Sequence, residues 1–440
     1  MDLKAAQEGV TLLEEIWRRP MTRRQILAVA ICIIVNLMDG FDVLASAFTA
    51  PVISEAWHLT ADKVGVILSA GALGMAIGAL FLSPLADRFG RRSMASTFLC
   101  VTAVGMFGAG FSSSLWELVF ARVLTGVGIG GTISAIGAAV VEVSSYKSRG
   151  LVLGLMAVGF PAGATLGGLA AMLLIEHHGW QSVFVLGGIV TCGIVPFVSF
   201  LIPESIDVIL TRQGPKTLGQ LNQALGFFGG APHRSLPKAG QLRPRTTILT
   251  ILRRPLLPTT VQVSAIMLLS MLSFYFVLNW APKLAVEGGL SKQAGIATGM
   301  LINIGGMVGG LATGVLLRYV PLRISAILIL FAMAAQIALY GILSGHADWQ
   351  TPLALILGLV MYSSIVVTYM LMTTSFPTVV RATAIGFCST AGRLGSIGGP
   401  YLGGLLLLRG FPVEWLCVTL AIPVAGAGLI VLVARPLEPA

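Results

Sequence analysis

The chain has 440 residues, of which 56% are hydrophobic and 10% charged, with a formal net charge of +10. A soluble domain carries about 25% charged residues, so this composition excludes a soluble globular protein and predicts an all-α chain that crosses a membrane many times. In a soluble protein such a positive balance would suggest a nucleic-acid partner; here basic loops on one side of a bilayer account for it, and no nucleic acid is expected.

Residues 1–24 are charged and end in Arg18-Arg19 and Arg23-Arg24. No small-residue cleavage site follows the first apolar run, which therefore reads as a retained span rather than a signal peptide. Twelve apolar runs follow, near 25–49, 64–85, 94–112, 116–142, 150–174 and 180–202, then 258–281, 294–317, 321–343, 351–376, 383–408 and 413–434. Each is close to the roughly 20 residues that a helix needs to cross the hydrocarbon. The spans form an N-terminal six-helix half, 25–202, and a C-terminal half, 258–434. Between them, 203–257 is polar, basic and rich in Pro and Gly, a cytoplasmic linker with short interfacial helices expected around Leu218–Phe228; residues 435–440 form a tail. The five cysteines are scattered through apolar segments with no CxxC pair, so neither a metal site nor a cofactor is expected.

The basic residues set the orientation. With the N-terminus inside, 22 of the 28 Lys and Arg fall in cytoplasmic segments and only Lys63, Lys283, Lys292 and Arg409 outside. That bias predicts both termini in the cytoplasm. The two remaining cations, Arg122 and Arg393, fall inside spans.

The halves repeat at an offset of 232 residues, which pairs Arg91 with Arg323, Arg149 with Arg381, Gly74 with Gly306, Gly163 with Gly395 and Gly167 with Gly399. Such a repeat places a substrate site between the halves, near the bilayer midplane, with alternating access by rocking one half against the other. The same offset exposes residues with one copy only: Asp39 falls on Met271, Asp42 on Phe274, Glu142 on Thr374, Arg122 on Ala354, and Arg393 on Pro161. Scaffold residues are expected on both sides of a duplication, whereas a functional charge needs a single copy.

Asp39 and Asp42 lie mid-span, three residues apart and so on one helical face. An Asp at mid-membrane costs about 2.5–3.5 kcal/mol on the insertion scale. With Asn36 a turn before and Ser46 a turn after, the pair forms a polar stripe expected to line an aqueous cavity. A carboxyl group in apolar surroundings gives up its proton less readily than in water, which makes Asp39 and Asp42 the proton-site candidates. Arg122, followed by Gly126 and Gly130 at close-packing spacing, is expected to partner one of them, either as a competitor with the proton or as a fixed structural ion pair. Arg393, among Gly392, Gly395, Gly398 and Gly399, is the candidate receptor for an anion, since a guanidinium grips a carboxylate with two parallel hydrogen bonds. Tyr275 and Asn279 in span seven, with Phe41, Asn36, Asn303 and Tyr362, offer aromatic and polar groups for a ring-bearing substrate. Trp280, near a span end, is expected to be an interfacial anchor. Asp87, Arg88, Arg91 and Arg92 between spans two and three read as a breakable latch, with Glu142, Arg149 and Arg381 in or near the same charge cluster.

Pro84-Leu-Ala-Asp87-Arg88-Phe-Gly90-Arg91-Arg92 resembles the signature loop of the major facilitator superfamily, as does Arg122-Val-Leu-Thr-Gly126-Val-Gly128-Ile-Gly130-Gly131 in span four. Asp39-Gly40-Phe41-Asp42 is similar to the marker of its aromatic acid:proton symporter family, and Pro203-Glu204-Ser205, Phe376-Pro377-Thr-Val-Val-Arg381-Ala382-Thr383 and Gly392-Arg393-Leu-Gly395 agree with it. The likeness runs from about Gln25 to Arg435. It implies the major facilitator fold, two pseudo-repeated six-helix halves, and import of a small aromatic carboxylate such as 4-hydroxybenzoate with protons, by a monomer in a bacterial-type inner membrane. The C-half counterpart of the loop, Leu317–Arg323, lacks the acid and the glycine, and span five lacks the Gly-Pro step of drug:proton antiporters, which argues against efflux. The alternatives are a carrier of another small organic anion or a sugar-like solute, and a transporter-like chemoreceptor. No nucleophile–base set supports an enzyme.

Overall fold

The computed structural model describes residues 17–211, 217–230, 232, 248–344, 346–377 and 379–434, without the side chains of Asp87, Asp207, Thr211 and Ala347. Twelve long helices take up the apolar runs: α1 (Arg23–Ala56), α2 (Ala61–Ile77), α3 (Arg91–Gly110), α4 (Leu115–Val143), α5 (Tyr146–His178), α6 (Gln181–Leu201), α7 (Leu257–Glu287), α8 (Lys292–Leu316), α9 (Leu322–Ile342), α10 (Ala347–Thr374), α11 (Arg381–Leu408) and α12 (Val413–Val433). No strand occurs among the described residues. Eleven of the twelve are long and apolar enough to cross a membrane. The exception is α11, whose glycines, hydroxyl residues and Arg393 dilute its hydropathy.

Local chemistry sets the helix ends. Thr22 caps α1 in a reciprocal box with Gln25, and Ser114 and Ser291 cap α4 and α8, each satisfying N–H groups that the first turn leaves unpaired. The α2 helix continues through a π-helical turn, Gly78–Leu82, into Ser83–Phe89. Gly90 then turns the chain at φ +98°, where a Cβ would strike the Glu204 carboxylate; only glycine suits that place. The expected linker helix forms as Thr217–Phe227, with Ile206–Thr211 before it and Ile248–Ile251 after it. Leu221, Ala224, Leu225 and Phe228 pack with Ile206, Ile209 and the start of α1 in one apolar cluster. Thr22 Oγ1 donates to Phe227 O at 3.3 Å, so the linker helix lies against the N-terminal half. Residues 212–216 and 233–247 of the linker, 1–16, and 435–440 lie outside the described residues.

The repeat inferred from single residues holds for whole helices: α6 and α12 start 232 residues apart and end 232 residues apart. Glycines govern the packing. Gly163 of α5 meets the Leu37 carbonyl of α1, and Gly126 of α4 meets the Gly71 carbonyl of α2. In the other half Gly395 of α11 meets the Leu268 carbonyl of α7, and Gly358 of α10 meets the Ile302 carbonyl of α8. With no lipid-excluding hydrophobic force between helices, close backbone approach through small residues supplies the van der Waals contact. Trp280 departs from its expected interfacial role. It is fully buried, and its indole N–H donates to Pro400 O at 2.9 Å across the closely packed α7–α11 contact.

Across the halves, α2 packs on α11, α5 on α8, and α1 on α7 and α8. The contacts gather at one end. Gly65 sits on Pro400 and Gly404, Gly168 on Met300, and Gly299 on Phe48. Lys283 Nζ donates to Ser54 Oγ at 3.0 Å, and Lys292 pairs with Glu55. Trp57 and Trp180 stack edge-on near that end, 5.2 Å between centroids. At the other end no extensive packing joins α4 or α5 to α10 or α11 among the described residues.

Gly163→Leu is expected to lower the thermal stability of the purified protein by about 1–3 kcal/mol or more, through overpacking against α1. Gly310→Leu, where a side chain meets open space, is expected to leave it unchanged. Equal losses would show that the glycine approach is not what limits the packing.

Candidate functional site

Two sets of polar side chains lie inside the bundle, one in each half. The N-half set centres on Arg122, which is 2% exposed. Its Nη2 donates to the main-chain oxygens of Asp42 at 2.9 Å and Val43 at 3.4 Å. Nη1 faces Met106 Sδ at 3.5 Å, and the guanidinium sits 5.7 Å from the Phe184 ring centroid. No ion pair joins Arg122 to either Asp carboxylate among the described residues; of the two expected partners it is Asp42 that it meets, by the main-chain bond and within electrostatic range of the carboxylate. Asp42 Oδ2 instead accepts a hydrogen bond from Thr191 Oγ1 of α6 at 3.2 Å, while Oδ1 is buried without a partner. Asp39 accepts no hydrogen bond among the described residues.

The polar stripe on α1, expected to line an aqueous cavity, is sealed by the N-half helices at Asp42 Oδ1 and Ser46 Oγ, while Asn36 is only half-buried. Asp39 is 3% exposed, Asp42 1% and Ser46 2%. Asn36 donates to Met156 O on α5. Phe41 is buried against Gly167 of α5 and Gly187 of α6. The reason is geometric: α5, α4 and α6 surround α1 closely enough that a single helical face cannot reach the interface between the halves along its whole length.

The C-half set forms around Arg393 on α11. Its Nη1 donates to Met75 O of α2 at 3.3 Å, reaching across to the other half. Tyr275 of α7 and Tyr369 of α10 lie within electrostatic range of its guanidinium. Phe274 packs edge-on to Tyr275 (5.6 Å) and to Tyr362 (5.3 Å). Tyr362 Oη donates to Asn303 Oδ1 at 2.7 Å, and Asn303 Nδ2 donates to Gly299 O at 2.8 Å. Asn279 spends its amide on Tyr275 O, one turn back along α7. Tyr275, Tyr362 and Asn303 are therefore brought together through Phe274 and one hydrogen bond, with Arg393 and Tyr369 within electrostatic range of Tyr275, whereas Asn36, Phe41 and Asn279 are engaged in helix packing. The Asn303–Tyr362 pair had a signal in the sequence: the repeat offset sets Asn303 against Gly71 and Tyr362 against Gly130, two polar groups where the other half has contact glycines.

Part of the expected latch lies among the described side chains. Arg91 forms an ion pair with Glu142, joining the start of α3 to the end of α4. Glu204 Oε1 accepts from the Arg92 main-chain N–H at 3.3 Å. Arg88 lies over the Phe89 ring at 5.4 Å, and the Asp87 side chain lies outside the described residues. Arg149 does not join Glu142 as expected. Its Nη2 donates to Val141 O and Ser144 O, and its guanidinium stacks on Trp17 and Tyr146. Trp17 Nε1 and Gln25 Nε2 donate to Glu142 O and Val143 O. Four consecutive carbonyls at the end of α4 are thereby satisfied by side chains, as a helix C-terminus requires. Arg381 Nε makes the equivalent bond to Phe376 O at the end of α10. The two repeated arginines are caps on repeated helix ends.

A repeated helical bundle with ionisable side chains enclosed between and within its halves is the architecture of a secondary carrier. The chain belongs to the Major Facilitator Superfamily, whose family profile matches residues 30–379; its members and this chain's relatives are transporters, and it is not an enzyme. It is 30% identical to the gallate transporter of Pseudomonas putida, covering 94% of this chain and 92% of that one. It is 28% identical to the 4-hydroxybenzoate transporter PcaK of Acinetobacter baylyi (94% and 92% covered) and 30% identical to the 3-(3-hydroxy-phenyl)propionate transporter of Escherichia coli (94% and 95% covered). Its fold matches the inward open xylose transporter XylE from E. coli at a TM-score of 0.69 and 16% identity, covering 93% of this chain and 95% of that one.

A double-mutant cycle with Arg91→Ala and Glu142→Ala, read by thermal melting, is expected to return a coupling of about 0.5–3 kcal/mol. Additive losses would mean that the pair holds nothing together.

Proposed function

We propose that this protein imports an aromatic carboxylate, of the 4-hydroxybenzoate or related phenolic acid class, by proton symport through alternating access. The observation that carries the reading is Arg393: a guanidinium on the C-half, reaching the N-half main chain, beside aromatic rings and unmatched by a carboxylate among the described residues. The relatives support the substrate class, because gallate, 4-hydroxybenzoate and hydroxyphenylpropionate share a carboxylate and a phenolic ring. Arg393 grips the carboxylate, and Tyr275, Tyr362 and Asn303 meet the rest of the molecule.

Such an acid is ionised at neutral pH, and moving its charge inward against an inside-negative potential costs about 2.3 kcal/mol per 100 mV. One co-transported proton cancels that charge. Asp39 carries the proton, since it has no hydrogen-bond donor committed to it; Asp42, held by Thr191 and tied through its main chain to Arg122, relays the change in charge to α4 and α6. Halves 25–202 and 258–434 rock about the site on the linker 203–257. Asp87, Arg88, Arg91, Arg92 and Glu142 brace the cytoplasmic end, with Arg149 and Arg381 holding the helix ends on which that brace rests. The protein acts as a monomer in a bacterial-type inner membrane with both termini cytoplasmic. In that orientation the halves meet at the outer end and the central site faces inward.

Uptake of labelled phenolic acids into proteoliposomes tests this. An inward proton gradient is expected to drive accumulation by the wild type; Asp39→Asn uncouples it, Asp42→Asn slows it, and Arg393→Ala abolishes it. An active wild type that accumulates none of the acids would discard the substrate class.

A further inference from the structure

A cavity of about 300 Å³ lies where the N-terminal half meets the linker. Its walls are the end of α6 with Pro203 and Glu204 beyond it, Ile209 of the short helix that follows, Arg92 at the start of α3, and the linker helix Thr217–Phe227. The linker helix contributes Gln220, Gln223, Ala224 and Phe227. Their spacing of three and four residues puts them on one helical face. That face starts with two amides and ends on apolar side chains, while Leu221, Leu225 and Phe228 pack into the N-half cluster.

The guanidinium of Arg92 is uncommitted. Its main-chain N–H donates to Glu204 Oε1 at 3.3 Å, and its main-chain oxygen accepts from Ser96 Oγ at 3.1 Å. The half-buried side chain meets neither a hydrogen-bond partner nor a carboxylate at ion-pair distance among the described residues, whereas neighbouring Arg91 is paired with Glu142. The Gln220 and Gln223 amides also meet no partner among the described residues. Glu204 is the one acid among the described residues of the cavity wall. Its Oε1 accepts two main-chain N–H groups, from Arg92 and, at 3.2 Å, from Ser205. That carboxylate serves the first turn of α3, whose N-terminus carries positive partial charge and unpaired N–H groups. The cavity is left with one full positive charge and two amide donors, and no described group receives them.

The far side of the cavity is apolar. Phe200, at the end of α6, is 83% exposed, and Leu201 and Ile202 follow it along the wall. The α6 helix is long and apolar enough to cross a membrane, so its end marks the edge of the hydrocarbon, and a ring exposed there faces lipid chains. A ligand that joins a phosphate to an acyl chain matches both sides. Phosphate oxygens take parallel hydrogen bonds from a guanidinium, and basic pockets between spans at the membrane surface suit lipid headgroups.

We propose that this cavity binds the headgroup of an acidic phospholipid, with its phosphate on Arg92, Gln220 and Gln223 and its chains on the lipid face of α6 at Phe200. The bound lipid ties the linker helix to α3 and α6, beside the direct bond from Thr22 to Phe227. A zwitterionic headgroup fits less well, because its ammonium brings a second cation to a space whose carboxylate is already engaged. The site involves neither Arg393 nor the acids of α1, so it stands or falls separately from the transport reading.

Native mass spectrometry of the purified full chain in neutral detergent tests the site. Dioleoyl phosphatidylglycerol, dioleoyl phosphatidylethanolamine and soluble glycerol 3-phosphate are titrated separately. The wild type is expected to bind phosphatidylglycerol about fivefold or more tighter than either of the others, as one basic residue near an acidic lipid allows. Arg92→Gln keeps the main-chain bond to Glu204 and is expected to weaken phosphatidylglycerol about tenfold, the worth of a hydrogen bond to a charged group. Arg318→Gln removes an exposed cation outside the cavity and is expected to change it by no more than about twofold, as a surface charge does. Equal binding of phosphatidylethanolamine overturns the acidic preference, and equal binding of glycerol 3-phosphate makes this a free-phosphate site and overturns the lipid. Unchanged binding in Arg92→Gln, or the same loss in Arg318→Gln, overturns the site itself. Should Arg92→Gln fail to fold by thermal melting, the double variant Gln220→Ala, Gln223→Ala decides by the same comparison.

Discussion

A buried cation held on main-chain oxygens is the constraint on which the N-terminal half is built. Arg122 satisfies its charge on the carbonyls of α1, at Asp42 and Val43, within a space bounded by Gly71 of α2, Met106 of α3 and Phe184 of α6. Five helices are held around one guanidinium. A larger residue at Gly71 would meet Nη2, which is why α2 carries a glycine there. Because Arg122 binds the backbone of α1 rather than the Asp42 side chain, the carboxylate remains available to Thr191. The bond that positions α1 is thereby independent of the Asp42 side chain.

The C-terminal half solves the same packing problem with the charge displaced. Its counterpart of Arg122 is Ala354, and its counterparts of Gly71 and Gly130 are Asn303 and Tyr362, which bond to each other. The result keeps α8 and α10 together by a neutral hydrogen bond and leaves the cation, Arg393, at the interface instead of in the core. Duplicated helices thereby acquire unlike interiors: an enclosed ionisable set on one side and an interfacial donor set on the other.

Much of this was legible in the chain. The apolar runs and the 232-residue offset set the number and pairing of the helices, and paired glycines such as Gly163 and Gly395 lie at helix contacts, whereas the paired Gly154 and Gly386 meet open space. The single-copy logic also pointed to Arg122 and Arg393. It also marked the duplicated pair Arg149 and Arg381 as scaffold, and their bonds are to helix-end carbonyls rather than to the charge cluster in which they were expected. Helical periodicity placed Asn36, Asp39, Asp42 and Ser46 on one face but could not say what covered that face. Burial of the stripe depends on how closely α4, α5 and α6 approach α1, which is a property of tertiary packing. Trp280 misled for a related reason: position near a span end predicts an anchor, but its indole is buried and donates to Pro400 O.

The edge-on pair of Trp57 and Trp180 at the joined end of the bundle continues inward. Trp180 stacks on Phe184 at 6.0 Å, and Phe184 lies under the Arg122 guanidinium. A line of rings therefore runs from the bundle end to the buried charge. Indole emission responds to the electric field across the ring, so the native chain carries its own optical reporter. A change in charge beside Arg122, or in the contact between Trp57 and Trp180, would act on the same indole, without any attached dye.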